Sequence, residues 1–191
     1  MLRSVVLIAL LLAPLSGAQM SAAVQGDNAE LTHIFNEDQR VRQPKPLGPD
    51  EPKITRTDAE RLALVKELLA TDQVHTTADY LHAALVLQHS QSSADYLVAH
   101  TLAVLCAADH NMICLWLSAA TLDRYLQSID HSQIYGTQYL HFDHPPVTQE
   151  PYGKDLISDS IRSKLGVPTL KEQEEQLKTY QQQVAVPRKK P

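Results

Sequence analysis

The sequence has few of the residues and motifs that mark special classes of protein. Six glycines and eleven prolines among 191 residues exclude a collagen-like or low-complexity chain. Seventeen Lys and Arg residues against twenty-two Asp and Glu residues give a net charge of −5, which argues against nucleic-acid binding. The motifs GxSxG, GxGxxG, CxxC and HExxH and the P-loop are missing, so no common motif assigns an activity. With 43% hydrophobic and 20% charged residues, the chain is expected to fold.

The first eighteen residues have the features of a signal peptide. Arg3 precedes the apolar run Val5–Ala13, and the small residues Ser16–Ala18 provide a cleavage site. Because this run is too short to span a bilayer, we expect cleavage after residues 1–18 and a periplasmic or secreted protein. The most apolar later stretch, Ala94–Leu122, is interrupted by charged and polar residues, so no membrane insertion is expected after cleavage.

Apolar residues recur at helical spacing through most of the remaining chain. The expected helices are Asp27–Arg42, one capped by Thr57 and Glu60 in a capping box, Thr77–His89, Ser93–Ala108, Met112–Gln127, Asp155–Leu165 and Thr169 to about Gln183. No stretch alternates as a strand does. We therefore predict an all-α fold, a compact antiparallel bundle of about six or seven helices. The helical core is expected over residues 27–138, a loop and C-terminal helices over 139–183, and a disordered basic tail over 184–191.

The three helices between residues 77 and 127 are apolar on nearly every side. Such helices are normally buried, which predicts a buried central helical hairpin. Two of them start alike, since Thr76 and Ser92 are each followed three residues later by an aspartate. This echo is weakly similar to tetratricopeptide-type repeats, although two matching starts do not establish a solenoid.

The two cysteines, Cys106 and Cys114, flank a short polar turn. In an exported chain they can form a disulfide, and a bridge across so short a loop would stabilise the fold by about 2–3 kcal/mol. The alternative is two unpaired, buried small side chains. The sequence leaves both alternatives open.

Several polar residues lie on helices that are otherwise apolar. His100 is either a core histidine that bonds a neighbouring helix or a base or ligand in a pocket. Gln88 and His89 end the first buried helix. For Asp123 and Arg124, a buried salt bridge and a site for a carboxylate or phosphate are the alternatives.

The densest polar cluster is Gln133–Gln138, which places amide, phenol and hydroxyl groups around Gly136. Loops on a rigid scaffold often carry function, and the alternative is a turn whose amides bond the helix ends. The segment His141–His144 has metal-ligand residue types, but it lacks a helical HExxH motif and two prolines follow it. We predict no metal site there, and the sequence identifies no cofactor.

The chain resembles a bacterial family of unknown function, the domain catalogued as DUF6624. The resemblance covers roughly residues 35–138, and the string Gln133-x-Tyr-Gly-Thr-Gln and the pair Gln88-His89 are its most specific parts. The other matching motifs are Phe35-x-x-Asp38-Gln39, Asp58-x-x-Arg61, Asp79-Tyr80, Asp95-Tyr96, His100 and Asp123-Arg124. The resemblance implies no activity. It implies that these polar residues recur together, which favours a shared pocket.

Two functions are compatible with such a pocket. The first is a module that binds a small molecule or a protein. The residues expected to form its site are Gln88, His89, His100, Asp123, Arg124, Gln133, Tyr135, Gly136, Thr137 and Gln138.

The alternative is a hydrolase whose candidate catalytic residues are His89, His100 and Asp123. One histidine would be the base, with Asp95 or Asp123 as its orienting carboxylate. Arg124 would hold an anionic group, and the polar loop would donate hydrogen bonds to a developing charge. A third interpretation is a polar network that only fixes the helices.

Overall fold

The computed structural model describes residues 26–43, 54–141 and 145–185. The predicted signal peptide, residues 186–191 of the basic tail and residues 142–144 lie outside the described residues. In the described part the chain forms seven helices and no strands, which confirms the all-α prediction. They are α1 (Ala29–Val41), α2 (Asp58–Ala70), α3 (Thr77–Leu87), α4 (Ser93–Ala107), α5 (Met112–Ser128), α6 (Asp159–Lys164) and α7 (Leu170–Ala185). The last helix thus extends two residues past Gln183.

Local capping sets where the helices begin. Thr57 and Glu60 form the predicted capping box at α2. Thr76 and Asp79 form a second one at α3. At α4, Ser92 is the N-cap residue, but its side chain makes no capping hydrogen bond. The two similar helix starts of the sequence therefore have different structures.

The helix α3 lies at the centre of the bundle, because it packs against α1, α2, α4 and α5. Its buried side chains join one hydrophobic core with residues of all four neighbours. The largest members of this core are Leu31, Ile34, Val65, Leu68, Val86, Leu87, Leu102 and Leu117. Removal of this apolar surface from water is the main stabilising contribution to such a bundle.

The helices α4 and α5 form a hairpin that is closed by a disulfide. Cys106 and Cys114 are bonded, with 5.7 Å between their Cα atoms. The disulfide is therefore the correct one of the two alternatives. Within the described residues, no helix is long and apolar enough to cross a membrane.

The expectation that α4 is buried on every side is wrong for its outer face. Ala99 and Ala103 face the core and are fully buried, whereas Leu97, Val104 and Leu105 are 42–50% exposed. Among the described helices, α4 packs mainly against α3 and α5. Burial in the core therefore explains the apolar residues on the inner face of α4 but not those on its outer face.

The C-terminal third forms a separate layer of loop and helix. Two isolated bridges, Gln133 with Tyr152 and Leu140 with Thr148, fold the loop back on itself. The helix α7 holds this loop, because Gln181 Nε2 donates to Val147 O at 2.8 Å.

Candidate functional site

The carboxylate of Asp123 organises the polar loop that the sequence singled out. Asp123 is fully buried and lies on α5. Its oxygens accept hydrogen bonds from the backbone N–H groups of Ile134, Tyr135 and Thr137 and from the Thr137 hydroxyl, at 2.7–3.0 Å. An acceptor-only group with four donors is fully used by the fold. Asp123 therefore acts as an anchor for this loop.

Buried amides extend this anchored loop toward α7. Gln133 Nε2 donates to Gln138 O at 3.0 Å, and Gln138 N donates back to Gln133 Oε1 at 3.0 Å. Gln138 Nε2 donates to Ala120 O of α5 at 3.1 Å. Gln173 of α7 donates to Tyr135 O at 2.9 Å. The expected alternative was a turn whose amides bond helix ends. The amides instead bond backbone within the loop and Ala120 O in the middle of α5.

Gly136 is required by the same packing. Its φ is +82°, and a Cβ there would lie against Gln173 Oε1 and 2.5 Å from the Tyr152 hydroxyl. A side chain would both strain the backbone and collide with two buried groups. This glycine is thus explained by close packing and not by loop flexibility.

A small cleft of about 220 Å³ opens between this loop and α7. Trp116, Thr137, Tyr139, Gln176 and Tyr180 line it. Burial, with smaller contributions from Tyr180 and Tyr152, raises the pKa of Tyr139 to about 12. The wall of the cleft thus presents the Tyr139 phenol, which stays protonated and uncharged at ordinary pH.

His100 and Arg124 have separate partners. His100 Nδ1 lies 2.9 Å from Ser118 O on α5, which is the core-histidine arrangement. The Arg124 guanidinium lies 5.9 Å from the ring centre of Tyr96. Burial lowers the pKa of Arg124, although interaction with Tyr96 opposes this. These contacts of His100 and Arg124 involve no residue of the loop that Asp123 anchors.

Asp95 is held at the turn between α3 and α4. It accepts from Ser90 Oγ at 2.6 Å, and Lys66 Nζ lies 2.7 Å from the same carboxylate oxygen. These three side chains, with Leu62 and Ala63, line a cleft beside α2. In the structure Asp95 is paired with Lys66 and does not orient a histidine.

His89 is the predicted site residue with the most informative surroundings. Its Nδ1 lies 2.9 Å from Asp38 Oδ2 on α1. The Asp38 side chain is 2% exposed, whereas the His89 side chain is 23% exposed. A buried carboxylate therefore fixes an imidazole that solvent still reaches.

Two arginines and Gln39, whose Nε2 donates to Asp38 Oδ2 at 3.1 Å, also surround Asp38. Arg42 Nη1 lies 2.7 Å from Asp38 Oδ1, and Arg61 Nε lies 3.7 Å from the same oxygen. Asp58 also binds both arginines. Burial alone would raise the pKa of Asp58, but Arg61 and Arg42 together hold it below its ordinary value. We name Asp38, Arg42, Asp58, Arg61 and His89 the His89 cluster.

The chemistry of the cluster assigns the proton on the imidazole. An ionised carboxylate only accepts hydrogen bonds, so His89 Nδ1 carries the hydrogen that Asp38 binds. In neutral His89 the second nitrogen, Nε2, then has a lone pair. The formal charges of the two carboxylates and two arginines cancel.

The structure thus distributes the ten predicted site residues over separate places. It joins Asp123 with Gln133, Tyr135, Gly136, Thr137 and Gln138, and it places His89, His100 and Arg124 elsewhere. Gln88, which is buried, ends α3 next to His89. The orienting group of His89 is Asp38, not Asp95 or Asp123. Sequence reasoning missed it because Asp38 lies 51 residues away, although consecutive acidic residues on an amphipathic helix were an available signal.

No family model, curated protein or solved structure matches the chain. The resemblance to the DUF6624 family therefore stays a prediction. Among the described residues, no group of three or more His, Cys, Asp or Glu side chains is arranged to hold a metal ion.

Proposed function

We propose that this protein is a ligand-binding module and that the His89 cluster is its site. The observation that carries the proposal is the hydrogen bond between buried Asp38 and partly exposed His89. A structural histidine could be held by any backbone carbonyl, as His100 is. Here a buried carboxylate fixes both the ring orientation and the proton position of a group that solvent reaches. Such pre-organisation reduces the cost of binding.

The charge of the cluster indicates the class of ligand. Arg61 is almost fully buried and pairs with carboxylates, while Arg42 is 28% exposed. Arg42 and His89 are both partly exposed and contact different oxygens of the same buried carboxylate, Asp38. We therefore propose a small carboxylate or phosphate ligand, bound by charge-assisted hydrogen bonds from Arg42 with His89 as the second contact.

Titration with inorganic phosphate and with acetate, followed by NMR of the imidazole resonances, tests this proposal. We expect a saturable shift of the His89 signals. His89→Gln should abolish binding, whereas His131→Gln, at an exposed position after α5, should leave it unchanged. Equal binding by the His89→Gln variant would contradict the proposal.

A hydrolase is the second candidate, and the lone pair on Nε2 is the observation that favours it. A fixed imidazole with a free basic nitrogen is what general-base catalysis requires. Among the described residues, however, the hydrogen-bond partners of His89 include no hydroxyl or thiol nucleophile. Hydrolysis of p-nitrophenyl acetate that exceeds free imidazole and is lost in His89→Gln would favour this candidate over simple binding.

We also propose that the protein acts outside the cytoplasm. The signal-peptide pattern of residues 1–18 supports this location, and a disulfide is common in exported proteins. N-terminal sequencing of the mature protein would check the cleavage after Ala18.

A further inference from the structure

The outer face of α4 is an exposed apolar stripe that the ligand-binding proposal does not use. Its members are Ala94, Leu97, Val98, Thr101, Val104, Leu105 and Ala108. Their spacing of three and four residues places them on one side of the helix, over about 21 Å of its length. All seven residues are exposed, and none of them is charged. An apolar stripe of this kind marks an interaction surface.

The stripe has the same sequence of residue types in both directions from Thr101. Leu97 and Leu105 lie four residues to either side of Thr101, and Val98 and Val104 lie three residues to either side. Ala94 and Ala108 lie seven residues away and complete the pattern. When two copies of α4 pair antiparallel with Thr101 at the centre, each residue faces one of its own type. Two-fold interfaces require this kind of self-complementarity.

The antiparallel arrangement also suits the backbone and the side-chain sizes. Opposed helix dipoles attract, whereas parallel ones repel. The alanines at both ends and the small Thr101 at the centre let the helices approach evenly, and the Leu and Val pairs fill the space between. The spacing suits the shallow crossing of i±3 and i±4 ridges.

The charge distribution argues against an anionic membrane as the occupant. No Lys or Arg occurs between Lys66 and Arg124, so α3, α4 and the first three turns of α5 carry neither residue. Helices that lie on anionic membranes carry Lys and Arg on their polar face. A charged residue near a two-fold axis would meet its own copy, and the stripe has none.

We propose that the protein forms a homodimer in which α4 packs antiparallel against α4 of a second copy, with the two-fold axis at Thr101. The first test is sedimentation equilibrium of the full chain with its disulfide intact. We expect a monomer–dimer equilibrium for the wild type. Thr101→Lys places two like charges at the axis and should raise the dimer dissociation constant roughly a hundredfold. A wild type that stays monomeric at all concentrations overturns the proposal.

The matched control is Ile161→Lys, which adds the same charge at an exposed position of α6. It should leave the dissociation constant unchanged. Because Thr101 is exposed in the single chain, Thr101→Lys should keep the wild-type circular dichroism spectrum and urea midpoint. Loss of dimer with an unchanged fold therefore supports the interface, and equal weakening by Ile161→Lys contradicts it.

Cysteine cross-linking tests the direction of the helices. Thr101→Cys should cross-link to itself on mild oxidation. Leu97→Cys alone should not cross-link. Residue 97 of one copy lies four residues before the axis and residue 97 of the other copy lies four residues beyond it, which separates the two by about 12 Å along the helices. A mixture of Leu97→Cys and Leu105→Cys proteins should cross-link. Efficient cross-linking of Leu97→Cys alone would indicate parallel helices and overturn the antiparallel arrangement.

Discussion

The molecule has two buried carboxylates with different surroundings. Asp123 is fully buried and accepts four hydrogen bonds, three of them from backbone N–H groups of one loop. Asp38 is almost as buried, but its partners are the side chains of Arg42, Arg61, Gln39 and His89. Backbone donors are fixed in place, whereas these side chains can change their rotamers. We therefore infer that Asp123 serves the fold and that Asp38 orients His89.

The largest effect on this comparison should come from Asp123→Asn. In one orientation the amide nitrogen of the variant faces the N–H groups of Ile134 and Tyr135, and in the other it faces the N–H group of Thr137. In both cases two donors face each other, because a backbone N–H cannot become an acceptor. We expect a loss of about 3 kcal/mol in the free energy of unfolding, since charge-assisted bonds weaken and a buried donor loses its partner. Urea unfolding measures this loss.

The control for Asp123→Asn is the same substitution at exposed Asp155. It should change the stability by less than about 0.5 kcal/mol. A loss at Asp123 as small as the loss at Asp155 would show that the carboxylate does not hold the loop.

The matched substitution Asp38→Asn should cost less, about 1–2 kcal/mol. The amide nitrogen of the variant can donate to His89 Nδ1 once the imidazole changes its tautomer, and to Gln39 once that side-chain amide turns over. Arg42 and Arg61 keep their ion pairs with Asp58. Backbone N–H groups, such as those around Asp123, cannot adjust in this way. Urea unfolding of both variants gives the difference. A loss at Asp38 equal to or larger than the loss at Asp123 would remove the distinction between the two carboxylates.

The same substitution should alter the site. When His89 Nδ1 accepts a hydrogen bond from the side-chain amide of the Asp38→Asn variant, the imidazole proton moves to Nε2, so neutral His89 loses the lone pair on Nε2. ¹⁵N NMR distinguishes the two tautomers. The wild type is expected to have the Nδ1–H form and Asp38→Asn the Nε2–H form.

Local sequence patterns predicted most of the fold. The spacing of apolar residues and the capping box of Thr57 and Glu60 depend on neighbours along the chain, and most helices followed them closely. The exception is α6, which begins at Asp159 and not at the expected Asp155. The outer face of α4 was mistaken for core because apolar composition alone does not distinguish a core from an uncovered surface.

The candidate site was less predictable because its contacts are long-range. His89 was identified as an unusual residue, yet its partner Asp38 comes from α1 and no local pattern joins them. The polar segment 133–138 was found by composition. Its anchoring by Asp123 depends on how the loop returns to α5, which residue types alone do not specify.

The smallest expected effect concerns alkaline pH. The pKa of Tyr139, raised by burial to about 12 from an ordinary 10.0, means that the folded protein keeps a proton that the unfolded chain loses. This contribution to stability is fully present below pH 10 and is lost as pH rises toward 12. Because the side chain is only partly buried, we expect at most about 1 kcal/mol after allowance for solvent.

Tyr139→Phe isolates this contribution. At pH 7 the variant should lose at most about 1 kcal/mol, the value of one hydrogen bond to Gln176. Between pH 9 and pH 11, the free energy of unfolding should then fall less steeply for the variant than for the wild type. Parallel pH profiles would show that the Tyr139 phenol is not desolvated. The cleft between this loop and α7 would then be more open to water than the buried carboxylate of Asp123.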